Sequence, residues 1–88
     1  MNRDDSFENL RTLFAADLAE KIKTLQAAVR DANWDTIGRI SHQIRGTAKS
    51  FGYSEVSVLA AELEQAVAQK SLDYSADLVK RISDLFVL

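Results

Sequence analysis

The chain has 88 residues and contains no proline, the residue that interrupts an α-helix most strongly. Its apolar residues recur at steps of three and four positions, which is the spacing of one face of an α-helix. An all-α fold is therefore predicted. Because connections of only a few residues force consecutive helices to reverse direction, we expect an antiparallel up-down four-helix bundle.

Residues that favour helix ends divide the first half of the chain into two helices. The first is expected over residues 7–31, with Asp5 and Glu8 at the spacing of a capping box. The second is expected to follow Asn33, a favourable N-cap residue, and to end where Gly52 can adopt a left-handed conformation. This second helix carries most of the unusual residues of the chain.

The second half of the chain is predicted to form two shorter helices. Ser54 can cap the third helix. The charges at the two ends of this helix are favourable for the helix dipole, because Glu55 lies in the first turn and Lys70 at the end. The fourth helix is expected to start at Ser71 or Asp73. The apolar residues expected to face the core are Phe7, Leu10, Phe14, Leu18, Ile22, Leu25 and Val29 in the first helix, Ile37, Ile40, Ile44, Ala48 and Phe51 in the second, Val56, Leu59, Ala60, Leu63 and Val67 in the third, and Tyr74, Leu78, Ile82, Leu85, Phe86 and Leu88 in the fourth.

Composition limits the classes of protein to which the chain can belong. Its length suits one small domain over residues 1–88, and the absence of cysteine excludes disulfides and is compatible with a reducing cytoplasm. No apolar stretch is long enough for a membrane span, and the start is too acidic for a signal peptide, so a soluble cytoplasmic protein without a membrane partner is expected. The net charge of −2 argues against a nucleic-acid partner.

One face of the second helix has the composition expected of a phosphoryl-carrying site. A ring nitrogen of His42, the only histidine, can act as a nucleophile, and neighbouring cations can stabilise a transferred anion. Glycines there leave room for a partner, although they could equally admit a neighbouring helix of the same chain. The alternative interpretation of His42 is an ordinary solvated side chain. The residues predicted to share this face are Gly38, Arg39, His42, Arg45, Gly46 and Lys49.

No metal or cofactor site can be identified in the sequence. The inward Glu and Glu-x-x-His pattern of carboxylate-bridged metal bundles is absent, and one histidine with one methionine gives little basis for haem ligation. We therefore expect no cofactor, and we interpret the apolar stripes as core.

Residues 42–46, which read His-Gln-Ile-Arg-Gly, resemble the signature of the histidine-containing phosphotransfer (HPt) domain. That signature is a histidine followed three residues later by lysine, or less often arginine, and then by glycine. Residues 59–66 also resemble a stretch found in the third helix of many members. The resemblance implies a phosphorelay intermediate that carries a phosphoryl group between aspartyl-phosphate receiver domains without catalysing a reaction of its own.

The resemblance also implies roles for individual residues. His42 would be the phosphoacceptor, Arg45 the cation beside the phosphoryl oxygens, and Lys49 a second cation. Gly46 would leave the gap through which the receiver's acidic pocket and magnesium ion approach the ring. The chain departs from the commoner pattern by carrying arginine instead of lysine at Arg45; arginine keeps the charge and adds a bidentate fork.

The partners implied by the resemblance are receiver domains of response regulators or hybrid histidine kinases, and the chain is expected to act as a monomer. Gly38, Arg39, Gln43 and Gly46 are the residues expected to face the partner; Gln43 could also be merely solvated. Two alternatives remain open. The chain could be a regulatory fragment of a hybrid sensor kinase, or a non-catalytic interaction module that binds a partner through two aliphatic residues outside the apolar stripes, namely Leu13 and Val58.

Overall fold

The computed structural model describes the backbone of residues 3–87 and the side chains of residues 9–86. The described chain forms four helices and no strand: α1 (Arg3–Arg30), α2 (Trp34–Ser50), α3 (Ser54–Ala68) and α4 (Leu72–Val87). Helix α2 packs against α1 and α3, and α4 packs against α3 and α1, so each helix has two neighbours in a ring. The predicted all-α four-helix bundle is confirmed. None of the described helices has the length and apolarity needed to cross a membrane.

The contacts between α2 and α3 run in opposite order along the two helices. A Cβ atom added to Gly38, near the start of α2, would lie 3.5 Å from Cγ1 of Val67, near the end of α3. Further along α2, the Arg45 carbonyl accepts a 2.8 Å hydrogen bond from the Ser57 hydroxyl, near the start of α3. This is the order that antiparallel neighbours give.

The core is made mostly of the predicted apolar stripes, and Ala28, Ala66 and Val79 are core residues that the stripes did not include. Its buried members are Phe14, Leu18, Ile22, Leu25, Ala28, Ile37, Ile40, Ile44, Ala48, Val56, Leu59, Ala60, Leu63, Ala66, Leu78, Val79 and Ile82. The prediction of burial is wrong at two positions, because Leu10 and Tyr74 are exposed. The Tyr74 hydroxyl instead donates a 3.2 Å hydrogen bond to Glu62, and this bond to a carboxylate raises the pKa of the tyrosine. The predicted core positions Phe7 and Leu88 lie outside the described side chains.

Helix starts agree with the predictions less closely than the core does. The Asn33 side chain accepts a 3.2 Å hydrogen bond from the Thr36 backbone N–H, which confirms Asn33 as the N-cap of α2. Ser54 is not a cap, because it is already the first residue of α3. Helix α1 begins at Arg3, before the predicted start at residue 7, and the side chains of its predicted capping box lie outside the described part.

The other predicted helix ends can also be compared with the structure. Helix α4 begins at Leu72, directly after Ser71. Helix α1 ends at Arg30, one residue before the predicted end of the 7–31 range. Lys70, the residue expected to favour the dipole at the end of α3, lies beyond the last turn, with a φ angle of +52°. The glycine-poor chain therefore uses lysine in a left-handed conformation at this turn.

Gly52 ends α2 as predicted. Its φ angle is +84°, its N–H lies 3.3 Å from the Lys49 carbonyl, and the next N–H, of Tyr53, lies 2.9 Å from the Ala48 carbonyl. These two bonds form a Schellman motif, in which the left-handed residue is most favourably glycine. The motif sets where α3 begins, and it thereby sets which residues of α3 face α2.

We expect Gly52→Ala to lower the free energy of unfolding by about 1 kcal/mol, because a Cβ atom disfavours the left-handed conformation. The matched control is Gly46→Ala, inside α2, where an added Cβ meets nothing within 4 Å. That substitution should raise stability by up to about 1 kcal/mol through helix propensity. Urea unfolding measures the change in the free energy of unfolding for each variant. Equal changes in the two variants would contradict the assignment of Gly52 to the turn.

Candidate functional site

His42 projects from the middle of α2 on the side opposite the core. Its neighbours Ile40, Ser41 and Ile44 are buried, whereas 66% of the His42 side chain is exposed. The helical rotation of about 100° per residue explains this arrangement, because the apolar stripe fixes one face inward and turns position 42 outward. A partner molecule can therefore reach the imidazole without any change in the bundle.

A carboxylate of α3 contacts both His42 and its cationic neighbour. Glu64 Oε2 lies 3.5 Å from His42 Nδ1, and Glu64 Oε1 lies 3.3 Å from Arg45 Nε. The Glu64 side chain is only 23% exposed. Its Oε1 atom is buried and has no partner with hydrogen-bond geometry, so the contact with Arg45 is an ion pair held by distance rather than by a well-aligned hydrogen bond.

The position of Glu64 distinguishes the two ring nitrogens of His42. A carboxylate beside Nδ1 favours the tautomer that carries its proton on Nδ1, because only an N–H can donate to an ionised oxygen. The Nε2 lone pair is then available for attack on an electrophile. In this arrangement Nδ1 carries the proton beside the Glu64 carboxylate, and Nε2 is left as the nucleophile.

Gly46 and Lys49 line a groove of about 500 Å³ between α2 and α3, together with Arg45 and Val58. No atom outside the local backbone lies within 4 Å of a Cβ built on Gly46, so the surface there is open. Lys49 is exposed, and within residues 9–86 its ammonium group makes no ion pair. The groove is therefore positively charged, and its surface at Gly46, one helical turn after His42, is open to a partner molecule.

The remaining predicted site residues do not all share this surface. Arg39 and Gln43 are exposed on α2 beside His42. Gly38 is half-buried, and a Cβ atom built on it would lie 3.5 Å from Cγ1 of Val67 of α3, so its surroundings are less open than those of Gly46. A contact of Gly38 with a partner stays a prediction. The two glycines therefore differ in their surroundings: Gly38 lies beside α3, whereas the surface at Gly46 is open.

Comparison with models of protein families matches residues 9–86 to the Hpt domain, which is 78 of the 88 residues. The chain belongs to the Hpt domain family. Hpt domains carry phosphoryl groups on histidine in two-component phosphorelays, and the resemblance seen in residues 42–46 and 59–66 is thereby confirmed. The search of curated proteins and the search of solved structures each found no match.

Sequence reasoning missed Glu64 and Ser57, two α3 residues of this Hpt domain whose side chains contact polar groups of α2 near His42. The available signal was the short turn between α2 and α3. His42 lies ten residues before Gly52 and Glu64 twelve residues after it, so an antiparallel hairpin places them at nearly the same level. Ser57 was less predictable, since a serine hydroxyl bonding an α2 carbonyl has no local sequence pattern.

Of Leu13 and Val58, the two aliphatic residues considered above as a binding surface, only Val58 borders the site of the Hpt domain. It is 59% exposed and lines the groove beside Gly46. Leu13, which is 67% exposed, lies on α1 next to Phe14, whose ring stacks on Phe51 at 4.5 Å. Phe51 follows His42 by nine residues, about 13 Å along the helix axis. Leu13 therefore belongs to another part of the surface.

Among the residues that the structure describes, no group of three or more histidine, aspartate or glutamate side chains is arranged to hold a metal ion. The polar groups that the structure places around His42 are the Glu64 carboxylate and the side chains of three cations of α2, namely Arg39, Arg45 and Lys49.

Proposed function

We propose that this Hpt domain is a phosphorelay intermediate in which His42 accepts a phosphoryl group from one receiver domain and passes it to another. The observation that carries the proposal is the exposed His42 ring with Glu64 3.5 Å from Nδ1 and the Arg45 guanidinium beside it. The receivers belong to response regulators or hybrid histidine kinases, which bear the phosphoryl group on an aspartate.

In the forward transfer, the Nε2 lone pair of His42 attacks the phosphorus of the receiver's aspartyl phosphate. A nitrogen–phosphorus bond forms while the bond from phosphorus to the aspartyl oxygen breaks, and the bonding electrons leave with the restored carboxylate. The proton on Nδ1 stays on the ring, which becomes formally positive. The Glu64 carboxylate offsets that charge. Return of the phosphoryl group to a second receiver reverses these steps.

The cations of α2 stabilise the charge of the transferred group. Arg45 lies one helical turn from His42 and is proposed to contact the phosphoryl oxygens, with Lys49 as a second cation from the following turn. The magnesium ion is proposed to be held by the receiver's acidic pocket rather than by this chain. The domain therefore supplies the nucleophile and a fixed positive surface, and it acts as a carrier without catalysis of its own.

The open surface around the ring is proposed as the receiver's docking site. Gly46 lets the partner approach closely, Arg39 and Gln43 lie on the exposed turn beside His42, and Val58 provides an apolar edge. One copy of the chain suffices, because the acceptor, its carboxylate and both cations come from the same molecule. A monomer acting in the cytoplasm is the form we propose.

The test is incubation of the protein with a panel of receiver domains that have been phosphorylated with radiolabelled acetyl phosphate. We expect at least one receiver to transfer label to the chain, and we expect the label to be acid-labile and base-stable, as on a histidine nitrogen. Acetyl phosphate without a receiver is the control. Binding of receivers without any transfer of label would contradict the proposal and favour the non-catalytic interaction module.

A further inference from the structure

We propose that the α3–α4 groove, a cleft between α3 and α4, is a docking site for an amphipathic helix of a partner protein that carries cationic side chains beside its apolar stripe. The inference goes beyond the proposed function, because this groove lies on the side of α3 away from Gly46 and α2. Its volume is about 550 Å³. The residues that line it are Ser54, Glu55, Val58, Leu59 and Glu62 of α3 and Arg81, Asp84 and Leu85 of α4.

The centre of the α3–α4 groove is apolar and partly open to solvent. Val58 is 59% exposed, Leu85 is half-buried, and Leu59 belongs to the core beneath them. Glu55 and Glu62 flank the two apolar residues of α3, and all four positions follow the steps i, i+3, i+4 and i+7 of one helix face. A partner's apolar side chains would remove this surface from water.

The edges of the α3–α4 groove carry more negative than positive charge. Their charged residues are Glu55, Glu62, Arg81 and Asp84. The Arg81 guanidinium lies 3.7 Å from Asp77, which is outside the groove. Asp84 lies 3.4 Å from Lys80, which is also outside it. The single cation of the groove is therefore paired with a neighbour on its own helix, and it does not neutralise the two carboxylates of α3.

Neither of these α3 carboxylates has a cationic partner within residues 9–86. Glu55 is exposed in the first turn of α3. Glu62 Oε2 accepts the hydrogen bond from the Tyr74 hydroxyl, which leaves Oε1 for another donor. The two residues are seven positions apart, or about 10 Å along the helix axis. Lysine or arginine residues seven positions apart on a partner helix have the same spacing.

The walls of the α3–α4 groove favour a helix over an extended segment. Both walls are α-helices, whose backbone groups are bonded within each helix, so they offer no sheet edge to which a strand could add. An extended segment would bring unpaired backbone groups to the apolar centre. A helix satisfies its own backbone hydrogen bonds and brings only side chains, with apolar ones for Val58 and Leu85 and cationic ones for the edges.

Charge also distinguishes this partner from a receiver domain. The groove between α2 and α3 carries Arg45 and Lys49, whereas the α3–α4 groove has net negative charge. A surface that is attracted by one groove is repelled by the other. Ser54 and Val58 line both grooves, so α3 separates two adjoining surfaces of opposite charge. The two sides of α3 therefore select different partners.

The probe is a synthetic peptide of about 18 residues, or five helical turns, with leucine on one face and lysine on the other. Fluorescence anisotropy of the labelled peptide measures its Kd for the wild-type protein. We expect binding, and we expect a peptide with glutamate in place of lysine to bind at least about tenfold more weakly. In nitrogen-15 NMR spectra, the amide shifts caused by the lysine peptide should be largest in the residues that line the α3–α4 groove.

Variants test the carboxylates and the apolar centre separately. Glu55→Gln with Glu62→Gln should weaken binding of the lysine peptide about tenfold, because two surface ion pairs are lost. The matched control is Asp17→Asn with Glu20→Gln, which removes the same charge from α1, a helix that does not pack against α3, and should bind as the wild type does. Val58→Ser should weaken binding about fivefold through loss of apolar area. Thermal melts show that each variant is folded.

Several results would overturn the inference. They are the absence of binding, equal binding of the two peptides, an equal loss of affinity in the two double variants, and amide shifts centred on α2. A dimer of the free chain in sedimentation experiments that Val58→Ser dissociates would mean that a second copy occupies the groove, and it would overturn the inference as well. Because the test involves no phosphoryl transfer, its result does not depend on the proposed function.

Discussion

His42→Gln is expected to abolish transfer of phosphoryl label to this Hpt domain and to change its free energy of unfolding by no more than about 1 kcal/mol. Glutamine has no ring nitrogen to attack phosphorus, and the chain holds no second histidine. The His42 side chain is 66% exposed and packs into no core, so its removal opens no cavity. The interaction between His42 and Glu64 is a surface pair, and such pairs stabilise a fold by at most about 1 kcal/mol.

The measurement is the labelling assay with phosphorylated receivers, run beside urea unfolding of each variant. The matched control is a double variant, His42→Gln with Gln43→His, in which two adjacent side chains are exchanged and the composition is unchanged. It moves the imidazole by about 100° around α2, away from the positions that Glu64 and Arg45 define, and should stay unlabelled. Acid-labile label on His42→Gln would show that another residue is the acceptor. Unfolding of that variant would show that the ring has a structural role.

Gly46→Gln is expected to reduce the transfer rate by about a hundredfold or more while the domain stays folded, because misplacement of a partner by about 1 Å can cost that much. A Cβ at this position meets nothing within 4 Å, so the bundle accommodates a longer side chain. The helix gains propensity, by up to about 1 kcal/mol. Glutamine at position 46, one turn from the nucleophile, would nevertheless occupy the groove beside Lys49 and Val58. Stability and transfer should therefore change in opposite directions.

Transfer rates and thermal melts of Gly46→Ala and Gly46→Gln test this expectation. Ala76→Gln is the matched control, because it places the same side chain at an exposed position of α4, a helix that does not pack against α2. It should transfer at the wild-type rate. A Gly46→Gln protein that melts no lower and transfers normally would contradict close approach of a receiver at this surface. A much lower melting temperature would contradict the open environment of Gly46.

The errors in the predicted core come from the ends of the helices. Leu10 fits the apolar period of α1, but α1 has 28 residues, or about 42 Å, whereas α2 has 17, or about 26 Å. A stripe is buried only where a neighbouring helix covers it, and the period of the stripe does not report the length of its neighbour. Tyr74, in the first turn of α4, is exposed at another helix end and bonds Glu62 through its hydroxyl.

The sequence by itself determined the number and type of the elements, most of the core and the outward face of α2, because these depend on periodicity and on residues close together in the chain. It also determined the family, through the spacing of His42, Arg45 and Gly46. Only the tertiary structure decided that Glu64, which follows His42 by 22 residues, contacts both His42 and Arg45. It also decided that Gly38 and Gly46 have different surroundings. The reason is that these contacts depend on the axial register and rotation of α3 against α2. The packing of the whole bundle fixes this register and this rotation, whereas the apolar period of a single helix determines neither of them.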